Sequence, residues 1–331
     1  MKPVSKTVLA VIAVSLLLVG LALGWFLREQ FSGDYQSFRD LASKYEFITP
    51  LLFVEVPEEE AFPEFGRLKQ SLTSFVDEAK GREDIEEVSI YFRNLNTSQW
   101  VGVNADERFA PASMLKVTLL MAILRIAELD PEFLARKVRA SGVEEFTKRQ
   151  PDYPPTKPMV SGEIYTIEEL INKLVIESDN AANVTLYDVV GDNQVMKIYD
   201  DLQMHRADEN DPGYTPAEYS RLFRSLYNGS YLSREQSEHV LRLLSQTTFT
   251  QGLVSGVPDD VVVSHKFGIR SSFNEDGTLV RELHDCGIVY YPEHPYFLCV
   301  MTRGYELKVL EDIIARASSI AWEEVVALRT R

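Results

Sequence analysis

Strand-like alternation appears on both sides of a long helical stretch in this chain, and that arrangement constrains the fold more than any other feature. Val88 to Phe92 and Trp100 to Val103 are short alternating runs separated by Asn94-Leu95-Asn96-Thr97-Ser98, which is hairpin chemistry. Val261 to Ile269, Leu283 to Tyr290 and Tyr296 to Thr302 return to strand patterns much later. Between them, from about Ala112 to Gln246, the periodicity is mainly helical, as in the apolar Val117 to Ile126, the amphipathic Ile167 to Ile176 and the Tyr219 to Tyr227 region. A helix over Phe65 to Ala79, with Leu68, Leu72, Phe75 and Val76 on one face, precedes the first strands; Leu307 to Leu328, with Leu310, Ile313, Ile314 and Ile320, closes the chain as another. Neither strand group alone can make a covered sheet. The expected fold is therefore α+β: one antiparallel five-stranded sheet assembled from both chain ends, with a large helical insertion, in a single domain over residues 61–331. With 331 residues, 45% of them apolar, the chain can bury the core such a domain needs.

The stretch from Val8 to Phe26 carries no charge for about nineteen residues, enough to cross a hydrocarbon core of roughly 30 Å as a helix. Lys2 and Lys6 precede it, so the short basic end is expected to stay in the cytoplasm and the remainder to be exported. A cleaved signal peptide is the competing reading, with Ala22-Leu23-Gly24 as a loose cleavage site, but the apolar run exceeds the usual length of such a core. The expectation is a single-pass anchor at the cell membrane over residues 1–28, a juxtamembrane spacer over 29–60 that partly packs on the main domain, and an extracytoplasmic domain beyond. A formal net charge of -16 argues against nucleic acid as a partner. The acidic runs Glu58-Glu59-Glu60 and Glu83 to Glu87 read as solvated faces.

Cys286 and Cys299 are the two cysteines, in apolar strand-like stretches flanking Tyr291-Pro292-Glu293-His294-Pro295. A pair on neighbouring strands rarely meets bridge geometry, so two buried small hydrophobes are expected rather than a disulfide. The five histidines make no zinc spacing, and neither a metal nor another cofactor is expected. His265 and His284 could approach one another across strands, though ordinary packing explains them better.

Three short motifs carry chemistry. In Ala112-Ser113-Met114-Leu115-Lys116, Ser113 falls at the start of the apolar helix and Lys116 one turn on, sharing its face. A serine hydroxyl is a weak nucleophile until a neighbour takes its proton, and a partly desolvated lysine can do so. The helix N-terminus adds unpaired N–H groups for a developing oxyanion. Ser178-Asp179-Asn180 follows the amphipathic helix, and Lys266-Phe267-Gly268 lies on the first late strand. Each is weak alone.

In this order and on these elements, the three motifs resemble the S-x-x-K, S-D-N and K-T-G set of the class A β-lactamases and penicillin-binding proteins. The approach Arg108-Phe109-Ala110-Pro111-Ala112-Ser113 is similar to the family's own. The resemblance implies an active-site serine hydrolase with no cofactor, acting on a β-lactam or a cell-wall peptide. Ser113 would attack the carbonyl carbon, Lys116 would take or relay its proton, and Ser178 would pass a proton to the leaving nitrogen. Asn180 would bind the substrate's side-chain amide, and Lys266 would hold Ser178 and the substrate carboxylate. The backbone N–H groups of Ser113 and Ile269, the residue after Gly268, would form the oxyanion hole. Asp179 would brace its loop.

Two departures follow. Phe267 stands where the family has Thr or Ser, whose hydroxyl helps bind the substrate carboxylate; Arg270, Ser271 and Ser272 are the candidates to replace it. The stretch Met204 to Pro216 resembles a shortened form of the loop that carries the deacylating glutamate in class A enzymes. Its Glu209 lacks the E-x-x-L-N surroundings and reads as a solvated loop charge, with deacylation base as the other reading. Three functions stay open on this basis: a β-lactamase-like hydrolase, a penicillin-binding D-alanyl-D-alanine carboxypeptidase-like enzyme, and a catalytically weak cell-envelope binding domain.

Overall fold

The computed structural model describes residues 46–47, 63–140, 143–148, 150–205 and 213–329. The expected membrane span, and all of the spacer except residues 46–47, lie outside the described residues, among which no helix is long and apolar enough to cross a membrane.

After a first helix α1 (Gly66–Lys80) come β1 (Ile85–Asn94) and β2 (Trp100–Val103), then the helical block. It holds α2 (Lys116–Leu129), α3 (Val143–Lys148), α4 (Ile167–Val175), α5 (Asn180–Val190), α6 (Asp192–Asp201), α7 (Pro216–Tyr227) and α8 (Arg234–Leu244). Between α2 and α4 the short strands β3 (Lys137–Arg139) and β4 (Ile164–Thr166) pair into a small second sheet, which the sequence patterns did not announce. The chain closes with β5 (Val263–Phe273), β6 (Leu279–Val289), β7 (Tyr296–Gly304) and α9 (Leu307–Arg329).

The main sheet has the order β2-β1-β7-β6-β5, antiparallel throughout. The last strand in sequence thus joins the two ends of the chain, and Ile90 on β1 faces Val300 on β7. Side chains alternate across the sheet with the period of two that a pleated strand imposes. On β7, Phe297, Cys299 and Met301 face the helical block, whereas Leu298 and Val300 face α1 and α9. The expected fold class is thereby observed: a sheet made from both chain ends, covered on one face by terminal helices and on the other by the insertion.

Local chemistry sets the helix starts. Thr166 and Thr215 cap α4 and α7, each in a capping box closed by the glutamate three residues on, which satisfies two free amides at each N-terminus. From the expected spacer, Phe47 is buried, its ring edge-on to Tyr290 at 5.2 Å and its amide on Glu238 at 2.8 Å.

Two expectations about β6 are corrected or sharpened. Cys286 and Cys299 form a disulfide, not two free thiols. The register puts them directly opposite one another on β6 and β7, on the same face, so their side chains project together. His265 and His284 do not meet. His284 is paired with Gly268, so the two imidazoles project from opposite faces, His265 onto Asp285 at 2.8 Å and His284 onto the Ala110 carbonyl at 3.1 Å. The bridge closes a sequence separation of 13. By the loss of chain entropy in the unfolded state, reducing it is expected to lower unfolding free energy by about 2–3 kcal/mol, read from urea melts with and without reductant. Coincident melts would mean that the bridge adds nothing to what strand pairing already constrains.

Candidate active site

Ser113 lies in a 3-10 turn, Ala112–Leu115, that runs directly into α2. This turn is seated on β5, one of the two edge strands of the sheet. A Cβ on Gly268 would lie 2.4 Å from the Pro111 carbonyl oxygen and 2.9 Å from Met114 Cγ, so only glycine lets the turn approach this closely. Three further contacts hold it. Tyr219 donates to the Met114 carbonyl at 2.9 Å, Phe109 bridges to Tyr214, and His284 donates through Nε2 to Ala110 while its Nδ1 accepts from the Thr302 amide at 3.2 Å. Burial pushes the His284 pKa down to about 3, so the ring stays neutral in that tautomer.

The Lys116 side chain runs into the protein beneath the serine and is buried. Its amine donates to the carbonyl oxygen of Ser178, to Ser178 Oγ at 3.3 Å and to Asn180 Oδ1 at 2.8 Å. On the other side of Ser178 Oγ, at 2.8 Å, stands the amine of Lys266, which also donates to the Phe267 carbonyl at 3.1 Å. One hydroxyl therefore sits between two buried amines. Desolvation lowers the Lys116 pKa to about 7 against the opposing field of Asp179. Lys266 is driven well below the ordinary lysine range, first by burial and then by the neighbouring Lys116, with Asp285 acting the other way. Two adjacent ammonium groups without water are too costly, so the pair favours holding fewer than two protons.

Asp179 does what its position suggests. Its Oδ1 caps α5 through the amides of Ala181 and Ala182 at 2.7 and 3.2 Å, and its Oδ2 accepts from Met159 at 3.3 Å. Ala112 and Ser178 both have positive φ, 48° and 53°, a conformation that costs a non-glycine residue about 1–3 kcal/mol and that clusters at functional sites. Ala112 directly precedes Ser113, and Ser178 itself carries the hydroxyl between the two amines.

Ser113, Lys116, Asn180 and Ile269 line one cavity of about 540 Å³. Its far wall is apolar and aromatic: Tyr187, Val195, Met196, Tyr199 and Tyr214. Tyr187, Val195, Met196 and Tyr199 were not singled out in the sequence, and Tyr214 stood there only within the loop-like stretch Met204 to Pro216. Among the described lining residues there is no carboxylate. Ser178 and Lys266 stand behind this cavity, at 1% and 0% exposure, and Gly268 lies under the turn as its seat, not as a surface for substrate. Glu209 lies outside the described residues. Arg270 and Ser272 line a separate depression of about 270 Å³ with Glu282 and Arg303, not the cavity that holds Ser113. Phe267 is buried against Phe249 and Tyr153.

Comparison with known proteins bears on the fold and on the family. The β-lactamase of Streptomyces fradiae is 29% identical over 216 residues, covering 60% of this chain and 67% of that protein. Among solved structures, the TLA-1 extended-spectrum β-lactamase superposes with a TM-score of 0.64 at 21% identity, covering 78% of this chain and 99% of that one. A PBP-A variant in its acyl-enzyme complex with penicillin G superposes with a TM-score of 0.67 at 18% identity, covering 83% and 100%. These two likenesses concern the fold. The model of the β-lactamase enzyme family matches residues 67–325, the whole span from the first helix to the last, and the chain belongs to that family.

Proposed function

We propose that this protein is a serine hydrolase that forms an acyl-enzyme at Ser113 with a β-lactam or a related amide. The observation that carries the reading is Ser178 Oγ held between the buried amines of Lys116 and Lys266, next to a serine on the same turn as Lys116. Ser113 Oγ attacks the carbonyl carbon and its proton passes to the neutral Lys116 amine. The carbonyl oxygen takes up the electron pair and is stabilised by the backbone N–H groups of Ser113 and Ile269, both at the cavity. As the carbonyl re-forms and the C–N bond breaks, the leaving nitrogen takes the Ser178 proton, which the lysine pair replaces. Asn180 positions the substrate amide from the cavity wall. The hydrolase unit is residues 61–331, held outside the cytoplasmic membrane by the anchor over residues 1–28.

A penicillin-binding, carboxypeptidase-like enzyme is the second reading, and the sequence motivates it: Glu209, the sole Glu of the Met204 to Pro216 stretch, lacks the E-x-x-L-N surroundings of a deacylation base. Intact-mass spectrometry of the full chain with benzylpenicillin and with p-nitrophenyl acetate tests both. An adduct on the Ser113 peptide is expected. If neither reagent modifies that serine, acyl transfer here is wrong. Loss of the penicilloyl mass within seconds to minutes marks lactamase turnover, and persistence for hours marks the penicillin-binding type.

A further inference from the structure

The segment from Gln150 to Met159, rich in proline at 151, 154, 155 and 158, crosses over the Ser178 turn and reaches the far side of β5. On the near side it is pinned at three places around Ser178. Asn180 N donates to Gln150 Oε1 at 3.2 Å, the Thr156 amide donates to Glu177 at 2.7 Å, and the Met159 amide donates to Asp179. On the far side the Tyr153 hydroxyl donates to Glu311 of α9. Its ring stands edge-on to Phe249 at 4.9 Å and to Phe267 at 5.5 Å, and those two stack at 4.3 Å. The Phe267 ring in turn lies 4.2 Å from the Lys266 amine.

Phe267 holds the motif position of the family's Thr or Ser, whose hydroxyl helps bind a substrate carboxylate, and its ring packs with Phe249 and Tyr153 beside the Lys266 amine. Lys266 is 0% exposed beneath them, and its hydrogen bonds go to Ser178 and to its neighbour's carbonyl. Nothing charged in a substrate reaches it. The opening that does reach Ser113 lies on the other side, along α5 and α6, where Tyr187, Met196, Tyr199 and Tyr214 offer apolar and phenolic surface and Lys116 is the one cationic side chain among the described lining residues.

Resting on the acyl-enzyme reading above, we propose that the preferred acyl donor carries no carboxylate next to its scissile bond and seats an apolar or aromatic group against Tyr187, Met196, Tyr199 and Tyr214, with Tyr153 and Phe267 as the residues that set this preference. The donor class is a neutral amide, ester or esterified lactam. With such a donor the Ser113 Oγ–carbonyl bond forms, the bond to the leaving nitrogen or oxygen breaks, and the leaving group departs with the Ser178 proton.

The test compares benzylpenicillin with its methyl ester on the full wild-type chain, following adduct formation at Ser113 by intact mass. The methyl ester is expected to acylate at least as fast as the free acid. A free acid that reacts tenfold faster or more overturns the inference while leaving the acyl-enzyme reading intact, whereas no adduct from either lactam or from p-nitrophenyl acetate means that the acyl-enzyme reading itself has failed. In Tyr153→Ala the acid-to-ester rate ratio is expected to rise at least tenfold as the mouth over Lys266 opens; in Tyr153→Phe, which keeps the ring, it should stay within about twofold of wild type. A folded Tyr153→Ala protein with an unchanged ratio also overturns the proposal. Should that variant fail to fold, the wild-type comparison decides alone.

Discussion

In the Lys116→Ala protein, acylation at Ser113 is expected to fall by about 10²–10⁴-fold and to lose its dependence on pH. Ser113→Ala sets the limit, since without the hydroxyl oxygen no acyl bond forms at all. The Lys116 amine is buried and donates to Ser178 and Asn180, with its pKa lowered to about 7 by desolvation. Only the unprotonated amine accepts the serine's proton. The wild-type acylation rate should therefore rise about tenfold per pH unit below pH 7 and level off above it. The same shift bears on stability with a definite sign. In the unfolded chain Lys116 holds its proton up to its ordinary 10.5, whereas the folded protein releases it near 7. Between these values the unfolded state binds the extra proton, so this group's contribution to stability improves as pH rises through that window, and its penalty is fully present below about pH 7. Pre-steady-state acylation measured from pH 5 to 9 on wild type and Lys116→Ala checks the first point. A limb near pH 7 that persists in the variant would assign it to another group.

Much of this was legible in the chain because the signals were local. The strands of the main sheet and the helix after Ser113 follow from alternation and from an unbroken apolar run, each readable within about ten residues. The S-x-x-K spacing places Ser113 and Lys116 on one turn without any tertiary knowledge. What escaped depends on contacts between distant segments. The segment from Gln150 to Met159 has no periodicity, and Tyr153 takes its meaning from Glu311, 158 positions away. The disulfide depended on register, since a shift of one residue between β6 and β7 would have turned the two cysteines to opposite faces. The aromatic wall was hidden for a different reason. Tyr187 and Tyr199 sit at helix positions where a core residue looks the same, and only the packing of α5, α6 and α2 around a gap makes them a cavity surface.

Gly268 provides the sharpest structural test, because its part in the site is an absence of atoms. In Gly268→Ala a methyl group would arrive 2.4 Å from the Pro111 carbonyl oxygen and 3.2 Å from the Met114 amide nitrogen, and both are backbone that cannot rotate aside. The turn must move off β5 by something approaching an ångström. Overpacking of this kind costs about 1–3 kcal/mol of stability. The larger effect is expected in the chemistry. The Ser113 turn and the Ile269 amide belong to the two elements that this contact holds together, and a misplacement of about 1 Å can cost about 10²-fold in rate. Acylation is thus expected to fall by about two orders of magnitude in a protein that still folds, as read from adduct formation alongside a urea melt. Gly66→Ala is the control, since a Cβ there meets nothing within 4 Å and should leave both readouts near wild type. A Gly268→Ala protein that acylates at the wild-type rate would show that β5 does not position the serine, and the oxyanion assignment to Ile269 would go with it.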